Sequence, residues 1–159
     1  MKGYVLMIKI LFICHGNICR SPMAEFILKD MAAKRGKSDE LYIASAATSS
    51  EEIWNGVGNP VYPPARQELK KHGISCEGKR AVQLTKEDYQ RFDYLLGMEQ
   101  WNIKNMMRIL KSDPEGKVKR LLDFSDHPRD IADPWYTGEF ASTYRDLVEG
   151  CEALWDFLF

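Results

Sequence analysis

The polar segment CHGNICR, residues 14–20, is the part of the chain whose residue types and spacing best suit chemistry. It follows an apolar run and precedes a segment that begins like a helix. Consecutive backbone N–H groups curled at a helix N-terminus form a cradle for a phosphate-sized anion. Gly16 permits backbone conformations that side chains forbid, and the planar guanidinium of Arg20 can bind two phosphate oxygens at once. The segment predicts a phosphate-binding loop made of Cys14, His15, Gly16, Asn17, Ile18, Cys19 and Arg20.

Cys14 lies at the bottom of this predicted loop, where the same positive field favours the nucleophilic thiolate over the thiol. The hydroxyl of Ser21 can donate a hydrogen bond to its sulfur. A lone cysteine after a strand is more often a small buried hydrophobe. Here a cysteine, five intervening residues, an arginine and a serine occur together between a strand and a helix. The combination predicts a nucleophile beneath a bound phosphate, and it lacks the G-K-[ST] ending of the P-loop NTPases.

The composition of the 159-residue chain is that of an ordinary globular protein, with 45% apolar residues, 28% charged residues and a net charge of −1. It predicts one domain over residues 1–159, in which residues 1–6 form a peripheral extension. This near-neutral charge does not indicate nucleic acid or an anionic membrane as a partner, and no apolar stretch approaches the ~20 residues of a transmembrane helix. Four scattered cysteines without a paired metal-binding pattern favour the cytoplasm, and we expect neither a metal nor a cofactor.

Hydrophobic periodicity indicates strands that alternate with helices. Apolar and β-branched runs predict four strands, at residues 7–13, 41–48, 92–98 and 117–124. Helices are predicted between them and at the C-terminus, the first with Ser21 as N-cap, Pro22 as its first residue and Gly36 at its end. The alternation predicts an α/β fold with a parallel sheet covered by helices on both faces. In such sheets the functional site lies beyond the carboxyl ends of the strands, where the loop begins.

A carboxylic acid is the second group that this chemistry requires. Transfer of a phosphoryl group from an ester to the thiolate needs a proton for the leaving oxygen, so an acid should face the thiolate. The irregular segment near the C-terminus contains several candidates, of which most are expected to be turn formers: Asp123, Asp126, Asp130 and Asp133.

The segment CHGNICRSPMAE is similar to the signature of the low-molecular-weight protein tyrosine phosphatases. The segments SAATS, KKHGI, RFDYLLGM and ADPWYTG follow in that family's order, so the resemblance covers most of the chain. It implies a single-domain three-layer fold with a four-stranded parallel sheet in the order 2-1-3-4. It further implies hydrolysis of phosphotyrosine monoesters, in phosphoproteins or small aryl phosphates, through a phosphocysteine intermediate. Inorganic phosphate is then a product and an inhibitor, and a monomer or weak self-association is expected.

The resemblance also implies a role for particular residues. Cys14 is the nucleophile, Arg20 binds the phosphate, and Asp133, which precedes a proline and two aromatic residues, is the general acid and then the base. Ser21, Asn17, Ser45 and His72 support the loop by hydrogen bonds. An Asn at position 17 suits the left-handed backbone region that such a loop requires. The walls of the substrate cleft are assigned to Trp54, Trp135 and Tyr136.

Cys19 shares the loop with Cys14 and is the expected redox partner. A thiolate is the form that peroxide attacks, and a neighbouring thiol can capture the resulting sulfenic acid as a disulfide.

Several alternatives remain open at this point. An arsenate reductase on the same scaffold uses additional closely spaced cysteines, which Cys76 and Cys151 do not provide. A phosphoarginine phosphatase resembles this loop with threonine at the place of Ile18, so Ile18 favours phosphotyrosine. A phosphate-binding module without catalysis, and a thiol redox protein, are alternatives from other classes.

Overall fold

A four-stranded parallel sheet is the framework that carries the predicted loop. A computed structural model describes residues 6–159. The chain forms β1 (Ile8–Cys14), β2 (Leu41–Ala47), β3 (Ile53–Trp54), β4 (Val57–Gly58), β5 (Tyr94–Gly97) and β6 (Val118–Arg120). The sheet has the order β2-β1-β5-β6, and β3 and β4 form a separate antiparallel hairpin. Counting only the strands of the large sheet, this is the expected order 2-1-3-4.

Helices cover both faces of the sheet, as the alternating pattern predicted. They are α1 (Arg20–Lys34), α2 (Pro63–Lys71), α3 (Asp88–Arg91), α4 (Gln100–Leu110), α5 (Pro134–Thr137) and α6 (Phe140–Leu158). Alternate residues of β1 enter two different cores. Phe12 belongs to the larger core with α1, α2 and α6, whereas Ile13 belongs to the smaller core with α4. Burial on both faces explains why β1 reads as a continuous apolar run.

The first helix begins two residues earlier than the sequence predicted. Its first residue is Arg20 and Cys19 is its N-cap, so the assignment of Ser21 as N-cap and Pro22 as first residue is wrong. The Ser21 hydroxyl bonds side chains of the loop instead of capping the helix. The predicted end is confirmed, since Gly36 follows the helix with a φ of 69°.

The end of the fourth strand also differs from the predicted one. The fourth strand of the sheet ends at Arg120, and Leu121–Phe124 is a 3₁₀ turn rather than more strand. The Asp123 carboxylate accepts a hydrogen bond from the Arg120 backbone N–H at 2.8 Å, which stabilises the turn. Most of the predicted extension, residues 1–5, lies outside the described residues. Within residues 6–159, no helix has the length and apolar character needed to cross a membrane.

Candidate active site

The loop of residues 14–20 connects the carboxyl end of β1 to the N-terminus of α1. Neighbouring segments hold it through its carbonyl groups. The N–H of Thr48 donates to the Cys14 carbonyl at 3.0 Å, and the N–H of Tyr62 donates to the Ile18 carbonyl at 2.9 Å. In the described part of the chain, the backbone N–H groups of residues 16–19 donate to no protein acceptor. A curl of free N–H groups is the arrangement that binds an oxyanion.

Asn17 fixes the shape of the loop. Its φ of 58° is the left-handed conformation that the sequence predicted. Its Nδ2 donates to Ser21 Oγ at 2.8 Å and to Ser45 Oγ at 2.9 Å, and its Oδ1 accepts from the Val82 N–H at 3.1 Å. Ser21 Oγ in turn lies 3.0 Å from Cys14 Sγ. The structure therefore brings Asn17, Ser21 and Ser45 together beneath the predicted nucleophile.

A buried ion pair that the sequence reading missed continues this network. The Glu25 side chain is 5% exposed, and its Oε1 accepts from Ser45 Oγ at 2.6 Å. Lys79 donates to the Ser45 carbonyl at 2.9 Å, and its ammonium lies 3.5 Å from the same Glu25 oxygen. Burial lowers the pKa of Lys79, while Glu25 acts in the opposite direction. The only signal in the sequence is a glutamate among the apolar residues of the first helix.

His72 does not support the loop, so this prediction is wrong. The residue follows the last turn of α2, which packs against α6. Its ring stacks on Tyr144 with centroids 3.7 Å apart, and its Nε2 lies 3.0 Å from a carboxylate oxygen of Glu68. Lys79 is the basic residue that lies beside Ser45.

Arg20 is buried, with 2% of its side chain exposed, and three groups orient its guanidinium. One terminal nitrogen donates to the carboxylate of Glu99 and to the Ile131 carbonyl, the latter at 2.8 Å. The other donates to Asp133 Oδ2 at 3.3 Å. Sequence reasoning missed Glu99 because it lies 79 residues from Arg20 along the chain. Its position two residues after β5, at the carboxyl edge of the sheet, is the signal that would have found it.

Asp133 is the N-cap of α5, where its Oδ1 accepts a hydrogen bond from the Trp135 N–H at 3.0 Å. Among the four candidate aspartates, it is the one that lines the same cavity as Cys14. Asp123 and Asp130 are instead paired with Arg120.

The cavity above the loop has a volume of about 130 Å³. It is lined by Cys14, His15, Gly16, Ile18, Cys19, Arg20, Glu51, Glu52, Asp133, Trp135 and Tyr136. Glu51 and Glu52 are lining residues that sequence reasoning missed. The Glu51 carboxylate lies 3.0 Å from His15 Nε2, which connects the loop to the segment before β3.

Only two of the three predicted cleft walls line this cavity. Trp135 and Tyr136 do so, whereas Trp54 is 80% exposed on the β3–β4 hairpin and is not a lining residue. Its neighbour Ile53 packs against the larger core. Because successive strand residues point to opposite sides, Trp54 is directed away from that core, and its assignment as a cleft wall stays a prediction.

The family model described as low molecular weight phosphotyrosine protein phosphatase matches residues 9–158. The chain belongs to this family. A curated relative, the low molecular weight protein-tyrosine-phosphatase YfkJ of Bacillus subtilis, is 38% identical over 150 residues, which cover 93% of this chain and 94% of that protein. The crystal structure of YfkJ has a TM-score of 0.91 at 36% identity and covers 98% of this chain and 97% of its own.

Another similar structure is that of a protein named as an arginine phosphatase rather than a tyrosine phosphatase. The Drosophila arginine phosphatase DARP has a TM-score of 0.84 at 30% identity, with 95% of this chain and 98% of that chain covered. The family model and the relatives named as protein tyrosine phosphatases show that this chain is an enzyme.

Proposed function

We propose that this phosphatase hydrolyses phosphotyrosine monoesters through a phosphocysteine intermediate. The observation that carries the proposal is that Cys14 and Arg20 of the loop and Asp133, which lies 113 residues after Arg20, line one cavity.

The first step transfers the phosphoryl group to the protein. The Cys14 thiolate, which accepts a hydrogen bond from Ser21 Oγ, attacks phosphorus, and the bond from phosphorus to the phenolic oxygen breaks. Protonated Asp133 donates its proton to the departing oxygen. Loop N–H groups and the Arg20 guanidinium stabilise the charge on the three other oxygens of the phosphoryl group.

The second step releases phosphate. Asp133, now a carboxylate, accepts a proton from a water molecule, whose oxygen attacks the phosphocysteine. The sulfur–phosphorus bond breaks, Cys14 leaves as a thiolate, and inorganic phosphate is the product. Glu99 and the Ile131 carbonyl hold one nitrogen of Arg20 in both steps, so the guanidinium plane is oriented before substrate binds.

Phosphoarginine is the alternative substrate that the similarity to DARP supports. Ile18 lines the cavity and is mostly buried there. An apolar side chain suits the edge of a tyrosine ring better than a charged guanidinium, so we place phosphotyrosine first. The cytoplasmic location, the absence of nucleic acid and membrane partners, and a state that is monomeric or weakly self-associated remain predictions.

A steady-state comparison of four substrates tests the proposal. We expect turnover of phosphotyrosine and much less of phosphoserine, phosphoarginine and arsenate. In the Cys14→Ser variant, turnover should disappear while phosphate still binds, because the serine oxygen stays protonated at neutral pH. Retention of more than a few per cent of activity in this variant would remove Cys14 as the nucleophile. Phosphate binding without turnover in the wild type would indicate a binding module.

A further inference from the structure

A chain of side-chain hydrogen bonds connects the predicted nucleophile to the buried Glu25, and Asn17 sets its direction. The Val82 N–H donates to Asn17 Oδ1, so the amide presents its Nδ2 to the other two partners. Nδ2 donates to Ser21 Oγ at 2.8 Å and to Ser45 Oγ at 2.9 Å. Both hydroxyl oxygens therefore accept from Asn17, and each keeps its own proton to donate elsewhere.

The two hydroxyl protons point to the two ends of this chain. Ser45 Oγ donates to Glu25 Oε1 at 2.6 Å, and a carboxylate can only accept. Ser21 Oγ lies 3.0 Å from Cys14 Sγ, whereas its alternative acceptor, the Ala46 carbonyl, is more distant at 3.5 Å. Donation to a charged carboxylate at one end thus fits donation to sulfur at the other, which favours the thiolate form of Cys14.

Two lysines face Glu25, one from solvent and one from the interior. The ammonium of Lys29 lies 2.6 Å from Glu25 Oε2, but 43% of the Lys29 side chain is exposed. The Lys79 side chain is only 12% exposed, and its ammonium lies 3.5 Å from Oε1 and donates to the Ser45 carbonyl at 2.9 Å. Burial lowers the pKa of Lys79, whereas Glu25 and, less strongly, a Cys14 thiolate raise it. Because this interaction is mutual, a cation at residue 79 favours the thiolate.

The charges that face Cys14 across the catalytic cavity are mostly negative. The titratable residues that line this cavity with it are His15, Cys19, Arg20, Glu51, Glu52, Asp133 and Tyr136. Among these described residues Arg20 is the permanent cation, and it already donates to Asp133 at 3.3 Å. Lys79 does not line this cavity and instead reaches the network beneath the loop through the Ser45 carbonyl. A cation in that position therefore adds to the field of Arg20 at the sulfur.

We propose that Lys79 is a positioning residue that keeps Cys14 in its thiolate form. Its charge compensates Glu25, so the buried carboxylate orients the Ser45 hydroxyl without repelling the thiolate. Its bond to the Ser45 carbonyl holds the strand residue from which the chain of hydrogen bonds continues to the nucleophile. Removal of one partner of a buried ion pair leaves the other uncompensated. This role rests on the proposed function of Cys14 as the nucleophile.

The ultraviolet absorbance of the Cys14 thiolate tests this role without any substrate. It is measured as the difference between each protein and the same protein carrying Cys14→Ser, at a pH where the wild-type thiol is partly ionised. Burial raises the pKa of the other three thiols, Cys19, Cys76 and Cys151, so they stay neutral and cancel in the difference. We expect Lys79→Met to lower the thiolate-to-thiol ratio about threefold, less than the roughly tenfold or larger effect of a charge in direct contact. At the same pH, kcat/KM should decrease by the same factor.

Three further variants locate the effect. Lys79→Arg keeps the cation and should keep the wild-type thiolate ratio. Lys70→Met removes a lysine that lines the same surface cavity as Lys79 but does not contact Glu25, and it should leave the ratio unchanged. Glu25→Gln combined with Lys79→Met removes both charges and should recover part of the loss, because no uncompensated charge remains buried.

A wild-type thiolate ratio in folded Lys79→Met would overturn the positioning role, even where urea unfolding shows a loss of stability. An equal loss of the ratio in Lys79→Arg or in Lys70→Met would overturn it as well. Lys79→Gln, which can still donate to the Ser45 carbonyl, provides the same test where the methionine variant does not fold. Activity that persists in Cys14→Ser would instead overturn the proposed function.

Discussion

At the scale of single residues, the site separates three tasks among three side chains. Cys14 lies beneath the loop and contacts Ser21, Arg20 is fixed by Glu99 and the Ile131 carbonyl, and Asp133 lies on the opposite wall as a helix cap. Arg20 also donates to Asp133 at 3.3 Å, so the side chains form one connected site. Each proposed task nevertheless has its own kinetic signature.

Asp133 is tested by its dependence on the leaving group. An acid that protonates the departing oxygen matters most when that oxygen is a poor leaving group. We expect Asp133→Ala to reduce kcat/KM for phosphotyrosine by roughly 100-fold, and for nitrophenyl phosphate by less. The comparison uses kcat/KM because hydrolysis of phosphocysteine also requires Asp133 and can limit kcat. Asp126→Ala and Asp130→Ala are the controls and should keep the wild-type dependence. An equal loss for good and poor leaving groups would make Asp130 the next candidate acid.

Arg20→Lys tests whether a positive charge at residue 20 is by itself sufficient for activity. An ammonium cannot reproduce the planar fork of the guanidinium, nor its simultaneous contacts to Glu99 and the Ile131 carbonyl. We expect a loss on the order of 100-fold in kcat/KM, comparable to removal of an oxyanion donor. Arg145→Lys, on the exposed face of α6, is the matched control. Kinetics like those of the wild type would show that Arg20 supplies only charge.

At the scale of elements, the connection from β1 to α1 combines the proposed phosphate binding with two thiols. Cys14 ends the strand and Cys19 is the N-cap of the helix, so both ends of the loop are fixed by secondary structure. Burial raises the pKa of the Cys19 thiol, which therefore stays neutral at physiological pH. Oxidation is then expected to begin at Cys14.

Mild peroxide should inactivate the enzyme reversibly. Peroxide converts the Cys14 thiolate to a sulfenic acid, and the Cys19 thiol displaces water from it to form a disulfide, which a thiol reductant reverses. Cys19→Ser should keep most of the activity but lose it irreversibly under peroxide, since no second thiol captures the sulfenic acid. Mass spectrometry of the oxidised wild type provides the check. Sulfinic acid at Cys14 without a link to Cys19 would rule the disulfide out.

At the scale of the whole molecule, the C-terminal helix α6 contacts the irregular segment that precedes Asp133, the proposed general acid. Arg129 lies 3.0 Å from Asp146 and 2.8 Å from Glu149, and Ser125 Oγ donates to the same Glu149 carboxylate. These contacts join the irregular segment before Asp133 to the long C-terminal helix. Hydrogen bonds from Arg129 and Ser125 lower the pKa of Glu149 to about 2.

Glu149→Gln should lower stability in a pH-dependent way. A carboxyl group with a depressed pKa in the folded state stabilises that state above its unfolded pKa, and the stabilisation is lost as the pH falls through the folded value. Because the pair is partly exposed, we expect about 0.5–1 kcal/mol at pH 7. The difference from wild type should shrink between about pH 4.5 and pH 2 in urea unfolding experiments. Asp156→Asn, an exposed acid on the same helix, is the control. A difference that does not change with pH would contradict the charge-based origin.

The local features of this protein were determined by the sequence itself. Residues 14–20 specify their loop because a glycine, an asparagine suited to φ of 58° and a following helix are neighbours in the chain. The strand pattern likewise predicts a parallel sheet, since both faces of β1 must be buried. Gly36 ends the first helix for an equally local reason.

The partners of those local features were decided only by the tertiary structure. Glu99 reaches Arg20 across 79 residues, and Val82 reaches Asn17 across 65, so both contacts depend on how β5 and the segment after α2 lie beside β1. His72 was misassigned for the same reason, because its position in the chain does not show that its ring stacks on Tyr144 of α6. The cavity above the loop also exists only after folding, since Cys14, Glu51 and Asp133 come from separate segments that the carboxyl edge of the sheet brings together.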